Sequence, residues 1–281
     1  MTQVSGSALL GFLSGGTAGG SLLSTLYGFG SATTASTGTD PFTALRQADK
    51  NRTREIAAAA KLPETRRDIA GFTQALAKAT TAAQALGDPA VLKILLTANS
   101  LSDQIPYAGL ARKVLLSDPA DPKSLVNRLA DSRWSAVVKT FQFATKGLDI
   151  LRDPKVQTTL TDGYAEVKWR KGLEVGTPGL SDALDIRQRA KTFTNAIQIL
   201  GDPVMRRVVT TALGIPREIA FQELPAQERA VTTRLDLKRL QEPKFVDGLV
   251  QRYLLEKQKA GASTNASAFD TLAVQSRSLF V

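Results

Sequence analysis

The sequence predicts an all-α protein, a multi-helix bundle built from two related helical modules, with flexible ends. Three observations predict this fold. Apolar residues between about 40 and 259 recur at three- and four-residue spacing, strand-favouring runs are few, and six of the 12 prolines directly follow an aspartate. A four-residue motif that occurs twice indicates that a helical module is duplicated.

The first 39 residues differ in composition from the rest of the chain, with nine Gly, fourteen Ser or Thr and no charge. Gly raises the entropic cost of ordering, and no apolar face is long enough to offset it, so we predict a flexible leader at 1–39 and a similar tail at 260–281. Short apolar clusters in both ends predict packing against a partner. The predicted partner-binding residues are Leu9, Leu10, Phe12, Leu13, Leu22, Leu23, Tyr27, Phe269, Leu272, Leu279 and Phe280.

The Asp-Pro dipeptides predict helix starts between the two ends. The Asp side chain accepts a hydrogen bond from a free N–H of the first turn, and Pro lacks an N–H that would have no partner there. The dipeptides are Asp40-Pro41, Asp88-Pro89, Asp118-Pro119, Asp121-Pro122, Asp153-Pro154 and Asp202-Pro203. Pro63, Pro216, Pro225 and Pro243 mark further starts.

Apolar stripes predict which helices form a core. The clearest predicted helix spans about 181–200, and the β-favouring run at 208–211 is assigned to a helix because it follows a capped start. The stripes are Ile186, Ala190, Phe193, Ile197 and Leu200; Val246, Leu249, Val250 and Tyr253; and Trp134, Val137, Val138 and Phe141.

The sequence Leu-Gly-Asp-Pro occurs at 86–89 and again at 200–203, an offset of 114. It predicts a helix that ends on a left-handed Gly, followed by a helix that Asp-Pro opens. Pro122-Lys123 resembles Pro243-Lys244, and a weaker third copy begins at Leu151. Duplication predicts helical modules at 40–180 and 181–259, whereas coincidence of a common cap motif is the alternative interpretation.

The composition excludes several classes of chemistry. With no Cys and no His, the chain has no disulfide, no Cys or His zinc site, no thiol nucleophile and no Ser-His-Asp triad. Neither Ser-x-x-Lys nor G-x-S-x-G occurs, and no Lys follows the Gly-rich run at 15–20. Carboxylate pairs such as Asp182 and Asp185 leave acid–base chemistry as a residual alternative. We therefore predict a protein that is not an enzyme and that has no cofactor and no metal.

The formal net charge of +10 indicates either an anionic partner or good solubility alone. Seven cations lie within 22 residues, and Trp169 stands among Lys168, Arg170 and Lys171. They predict nucleic-acid binding in a cytoplasmic protein as the alternative function; a solvated helix surface, with Trp169 in the core, is the structural interpretation. The candidate anion-binding residues are Arg46, Lys50, Arg52, Arg54, Arg66 and Arg67, with Lys61 between them.

Several segments resemble the bacterial domain of unknown function 1217. They are Lys113 to Leu116, Pro122 to Trp134, Phe141 to Phe143, Asp202 to Pro216 and Leu235 to Tyr253, so that the resemblance covers about 70–259. Members of that family often sit in flagellar gene clusters, and the resemblance therefore implies a role connected with the flagellum.

From this resemblance we expect a non-enzymatic structural or assembly protein of the bacterial flagellum. Its partners would be other flagellar proteins or further copies of itself. The uncharged leader is similar to those of substrates that the flagellar type III apparatus exports without cleavage; a disordered end in a cytoplasmic protein is the alternative. The apolar runs are far shorter than the ~18 residues that span a membrane.

Overall fold

The computed structural model describes the backbone of residues 40–278 and the side chains of residues 40–261. These residues belong to one compact unit. Every regular element among them is helical, so the all-α prediction is confirmed. A long helix, α1 (Pro41–Lys61), precedes two related helical modules. No helix in the described part of the chain is both long and apolar enough to cross a membrane.

The first module extends from the second helix to the ninth. Its elements are α2 (Pro63–Lys78), α3 (Ala82–Ala85), α4 (Pro89–Ala98), a 3₁₀ helix (Ser102–Tyr107), α5 (Ala108–Leu115), a 3₁₀ helix (Leu125–Arg128), α6 (Ser132–Phe141), α7 (Phe143–Lys146), α8 (Asp149–Arg152) and α9 (Pro154–Leu173).

The second module follows after a short loop. Its elements are α10 (Leu180–Arg189), a 3₁₀ helix (Ala190–Thr192), α11 (Ala196–Gly201), α12 (Pro203–Ala212), a 3₁₀ helix (Arg217–Phe221), α13 (Leu224–Thr232), a 3₁₀ helix (Leu237–Gln241) and α14 (Pro243–Ser278). The backbone of α14 continues past residue 259, where the sequence predicts a flexible tail. No Pro follows in this stretch, and Gly261 alone does not end the helix.

Four of the predicted Asp-Pro helix starts are confirmed. The aspartates that cap helices with their side chains are Asp40, Asp88, Asp153 and Asp202. The prediction is wrong at Asp118 and Asp121, which accept from the N–H groups of Ala120 and Lys123 within turns. A helix opened by Asp118 would need a backbone N–H at Pro122, and Pro has none.

The single helix predicted over 181–200 is wrong. The chain leaves the helix at 193–195 because side chains there compete for the backbone groups: Thr194 donates its N–H to Gln198 Oε1 at 2.8 Å, and Asn195 Oδ1 accepts from the Gln198 N–H at 2.9 Å. Ile197 is consequently 40% exposed, whereas the other members of the three predicted stripes are buried. The run at 208–211 is helical as predicted, within α12.

The same local hydrogen bonds recur at the offset of 114. Thr80 donates its N–H to Gln84 Oε1 at 2.9 Å before α3, as Thr194 does to Gln198 before α11. In both modules an Asp-Pro helix of ten residues follows, namely α4 and α12. This recurrence is what duplication of a helical module predicts.

A buried tyrosine that donates to an ion-paired aspartate recurs as well. In each module the aspartate lies on the first helix and the cation on the Asp-Pro helix, both at the offset of 114. The tyrosine comes from the last helix. The two sets are Asp68 with Lys93 and Tyr164, and Asp182 with Arg207 and Tyr253.

The last helices of the two modules, α9 and α14, thus correspond. Pro154-Lys155 opens the first of them and Pro243-Lys244 the second. The predicted match of Pro122-Lys123 with Pro243-Lys244 is wrong, because Pro122 lies in a turn. The third copy predicted at Leu151 instead leads from α8 into α9. The additional helices α6 to α8 precede α9 in the first module, so that α9 does not lie at the offset of 114 from α14.

Gly87 and Gly201 do not adopt the left-handed conformation that the motif predicts. Gly201 is required for another reason, since a Cβ there would lie 2.5 Å from the carbonyl oxygen of Ala130. The left-handed helix ends come later, at Ser100 (φ 59°) after α4 and at Gly214 (φ 60°) after α12. Each is followed by a residue whose N–H returns to the helix, Leu101 to Leu96 and Ile215 to Thr210.

Two buried apolar clusters form the cores of the modules. Trp134 and Tyr164 lie in the first cluster, and Trp169 and Tyr253 in the second. Helix α1 packs against α9, α10 and α14 and contributes Leu45 to the second cluster. The cores therefore do not follow the predicted division at residue 180 in full, because the segment that comes first in the chain completes the second core.

Candidate functional site

A cleft of about 690 Å³ lies where the two modules meet. It is lined by the end of α4, by α6 and α9 of the first module and by α10 and α11 of the second. Its wall includes three arginines, Arg133, Arg170 and Arg189, and one buried carboxylate, Asp185. We call these residues, together with Ser100, Asp103, Asp131 and Asp202, the junction network.

Ser100 links the two modules through its side chain and binds a residue of its own module through its backbone. Its hydroxyl donates to Asp185 Oδ1 at 2.8 Å, and its carbonyl oxygen accepts from Nη1 of Arg133. The second module has Gly214 at the equivalent position with nearly the same φ. A left-handed serine costs about 1 kcal/mol relative to glycine. The bond of the hydroxyl to Asp185 in the other module explains why serine occupies the position.

Arg133, at the start of α6, is almost fully buried and holds two carboxylates. Its guanidinium donates to Asp103 at 2.8 and 3.0 Å, and to Asp131 at 2.7 to 3.1 Å. Asp202 lies 3.7 Å from its Nε. Burial alone would lower the pKa of Arg133, but its bonds to Asp131 and Asp103 raise it. Arg133 therefore stays charged, and it ties the end of α4 to the start of α6.

Asp185, on α10, joins two further arginines. It accepts from Arg170 Nη1 at 2.6 Å and from Arg189 Nε at 2.8 Å. Burial would raise the pKa of its carboxyl group, but the charges of Arg189 and Arg170 outweigh burial and lower this pKa to about 2. The carboxylate is consequently ionised at neutral pH, when it is a weak base and cannot act as an acid.

Asp202 is fully buried and completes the network. Its Oδ1 accepts from the N–H groups of Val204 and Met205, both at 2.9 Å, and so caps α12. Its Oδ2 accepts from Arg189 Nη1 at 2.7 Å. Asp88, the equivalent residue of the first module, caps α4 but forms no ion pair among the described residues.

The charged groups of the junction network pair with one another. The network holds three guanidinium groups and four carboxylates, and every one of them is ion-paired with another member. Among the buried side-chain polar atoms that the structure describes, those without a hydrogen-bond partner are Arg170 Nε and Thr65 Oγ1. The part of the chain that the structure describes contains no group of three or more acidic side chains that could hold a metal ion. The arrangement is suited to holding five segments of chain together.

The left-handed serine gives a first prediction. Ser100→Gly relieves the backbone strain but loses the bond to Asp185, so we expect a net loss of roughly 1 kcal/mol in unfolding free energy. Ser100→Ala keeps the strain and is expected to cost about 1 kcal/mol more than Ser100→Gly. Denaturant titrations measure both. Gly214→Ala is the matched control: it meets nothing within 4 Å and should cost only the strain. Equal stabilities of the two Ser100 variants would contradict the account.

The lowered pKa of Asp185 gives a second prediction. Because the folded-state pKa is about 2 against an ordinary 3.8, the stabilisation is complete above 3.8 and is lost as the pH falls through about 2. Asp185→Asn should be less stable than the parent at neutral pH, and the difference should shrink by roughly 2 kcal/mol across this window. Denaturant titrations at several acidic pH values measure it. A difference independent of pH would contradict the assignment.

The structure divides the predicted cationic cluster between α1 and α2. Arg52 pairs with Glu166 on α9 at 2.8 Å, and Arg54 pairs with Glu55. The remaining members are exposed and form no ion pair within the described residues: Arg46, Lys50, Lys61, Arg66 and Arg67. Trp169 is buried in the second core, as the structural interpretation predicts, and is not available for stacking on a base.

The predicted partner-binding residues lie outside the described side chains. Those of the leader, from Leu9 to Tyr27, and the two at the end, Leu279 and Phe280, fall beyond the described backbone. The backbone of Phe269 and Leu272 lies in α14. These residues therefore stay predictions.

Sequence reasoning missed the junction network. Asp185 was named only as one of a pair of carboxylates, and neither Arg189 nor Asp202 was singled out as an ion-paired group. A signal was present at the offset of 114: Asp185 and Arg189 correspond to Gly71 and Ala75 of the first module. A charged residue that stands where the related module has a small uncharged one indicates that this position has a polar contact that its counterpart lacks.

The cleft lies in the part of the chain that resembles known proteins. The profile of the family described as "Protein of unknown function (DUF1217)" matches residues 98–246, and every residue lining the cleft falls within this match. A crystal structure of a structural-genomics target from Agrobacterium tumefaciens has a similar fold, with a TM-score of 0.65 and 18% identity over 80% of this chain and 96% of that chain. No curated protein is significantly similar in sequence.

Proposed function

Because the chain belongs to the DUF1217 family of proteins of unknown function, we propose that it is a non-enzymatic structural or assembly protein of the bacterial flagellum. It acts by association with other proteins or with further copies of itself. The flagellar part of the proposal rests on what the family resemblance implies. The non-enzymatic part rests on the junction network.

The observation that carries the proposal is the pairing of charges within the junction network. Catalysis by acids and bases needs groups whose pKa lies near the working pH and whose protons can reach a substrate. Asp185 is ionised and bonded to two arginines, and Arg133 is bonded to two carboxylates. These charged groups hold one another in ion pairs, which supports a structural role for them.

The uncharged leader supports export as part of the proposal. Its Ser, Thr and Gly content is similar to that of flagellar export substrates, and its apolar residues would gain order by packing on a partner. On this proposal the chain reaches the flagellum without a cleaved signal; retention in the cytoplasm is the competing location.

Deletion of residues 1–39 tests this proposal. We expect the deleted chain to keep the far-ultraviolet circular dichroism of a helical protein and to lose secretion and flagellar assembly, measured as chain in the culture medium and as swimming motility. A matched control replaces the same number of residues with a Ser/Thr/Gly sequence lacking Leu9, Leu10, Phe12 and Leu13. Normal motility and secretion after the deletion would contradict the proposal.

Nucleic-acid binding remains the alternative function, with the exposed cations of α1 and α2 as its candidates. It predicts a band shift that weakens steeply with salt. Replacing Arg46, Lys50, Arg66 and Arg67 by Gln should abolish that shift. Absence of a shift at low salt would reject the alternative and leave the association proposal in place.

A further inference from the structure

Four large apolar side chains on the surface form two pairs, one in each module. Tyr107 is 60% and Leu110 38% exposed, while Phe221 is 91% and Leu224 47% exposed. The second pair lies at the offset of 114 from the first, and each pair stands where a 3₁₀ helix leads towards an α-helix, α5 or α13. Exposed side chains of this size that recur at equivalent positions of two modules indicate a shared role in binding.

The two pairs differ in the charge around them. Around the first pair, the segment 106–113 carries Arg112 and Lys113 and no acidic residue. Both cations are exposed, and neither forms an ion pair among the described residues. We call this segment the basic patch.

Around the second pair, the segment 217–228 carries Glu218, Glu223 and Glu228 against a single cation, Arg217. Glu218 and Glu223 are exposed, and none of the three carboxylates forms an ion pair in the part of the chain that the structure describes. We call this segment the acidic patch.

We propose that the acidic patch of one copy of the chain binds the basic patch of a second copy. The aromatic and leucine side chains would form the apolar centre of the contact, and the unpaired charges would set its orientation and partner. This rests on the association mechanism proposed above and names its partner. Because the two patches are different surfaces, the contact is heterologous. A pair of copies therefore has one basic and one acidic patch still free, and the addition of further copies forms a ring or an open filament.

Charge exchange on the full-length chain tests this inference by sedimentation velocity over a concentration series. One variant carries Arg112→Glu and Lys113→Glu, the other Glu218→Lys and Glu223→Lys. Wild type is expected to form species larger than the monomer, in a manner that weakens with salt. Each variant alone has two patches of the same sign and should stay monomeric, whereas an equimolar mixture should associate again.

Two controls keep the test interpretable. Lys123→Glu with Lys146→Glu makes the same charge change at exposed positions outside both patches and should leave association unchanged. Tyr107→Ser with Leu110→Ser should weaken association while circular dichroism stays that of the parent. A wild-type chain that stays monomeric at every soluble concentration, or a mixture that fails to associate, would overturn the inference. Neither result alters the outcome of the leader deletion, which is measured separately in cells.

Discussion

Asp202→Ala is expected to lower the free energy of unfolding by about 4 kcal/mol. The substitution removes the cap of α12 and leaves Arg189 with one carboxylate partner instead of two. It also removes the buried negative charge 3.7 Å from Arg133. Loss of one partner from a buried ion pair costs several kcal/mol because the remaining charge cannot return to water.

Asp88→Ala is the matched control for this effect, since Asp88 is the equivalent cap in the first module. It accepts from the N–H of Ala90 at 2.8 Å and has no cation partner among the described residues. We expect it to cost about 1 kcal/mol, the usual loss for a helix cap. Asp202→Asn keeps a capping oxygen and removes the charge, and should fall between the two. Equal losses for Asp88→Ala and Asp202→Ala, in urea titrations followed by circular dichroism, would contradict a role of Asp202 in the junction network.

Gly201→Ala is expected to cost about 3 kcal/mol, near the upper end for overpacking. The added Cβ would lie 2.5 Å from the Ala130 oxygen and 3.0 Å from the Asp131 nitrogen, both backbone atoms that cannot rotate away. Relief requires the segment before α6 to move, and Asp131 on that segment holds Arg133. The substitution therefore strains the junction network as well as the local contact.

Gly87→Ala provides the matched control for Gly201→Ala. Its Cβ would meet the Gln84 and Ala83 oxygens at 3.2 and 3.3 Å, which is tight but outside the range of a clash. We expect a loss of less than about 1 kcal/mol, because Ala also restricts the unfolded chain. The same titrations measure both. A loss at Gly201 no larger than that at Gly87 would show that the approach of Ala130 is not constrained.

The sequence predicts the parts of this fold that depend on neighbouring residues. Asp153 and Pro154 open α9 through bonds within one turn, and the burial of Leu249 together with Tyr253 follows from their helical spacing. The break at 193–195 was not predicted. Its cause is the Gln198 side chain, which competes for backbone groups, and the spacing of apolar residues carries no information about such bonds.

The junction network could not be predicted from local sequence. Arg133 meets Asp103 across 30 positions, and Ser100 meets Asp185 across 85. Such pairs depend on how distant segments of the chain pack against each other, which neither helix spacing nor cap motifs specify. The offset of 114 does point to one member of the network, since Asp185 stands where the first module has Gly71.

The junction network attaches the two modules to each other, through bonds such as those of Asp185 with Ser100 and Arg170. The two tryptophans report on it separately, because Trp134 lies in the first core and Trp169 in the second. Fluorescence of the single-tryptophan variants Trp134→Phe and Trp169→Phe should follow urea unfolding with coincident midpoints, and Asp202→Ala should separate these midpoints. Midpoints that already differ without Asp202→Ala, or that remain coincident and unshifted with it, would contradict the claim that the paired charges hold the modules together.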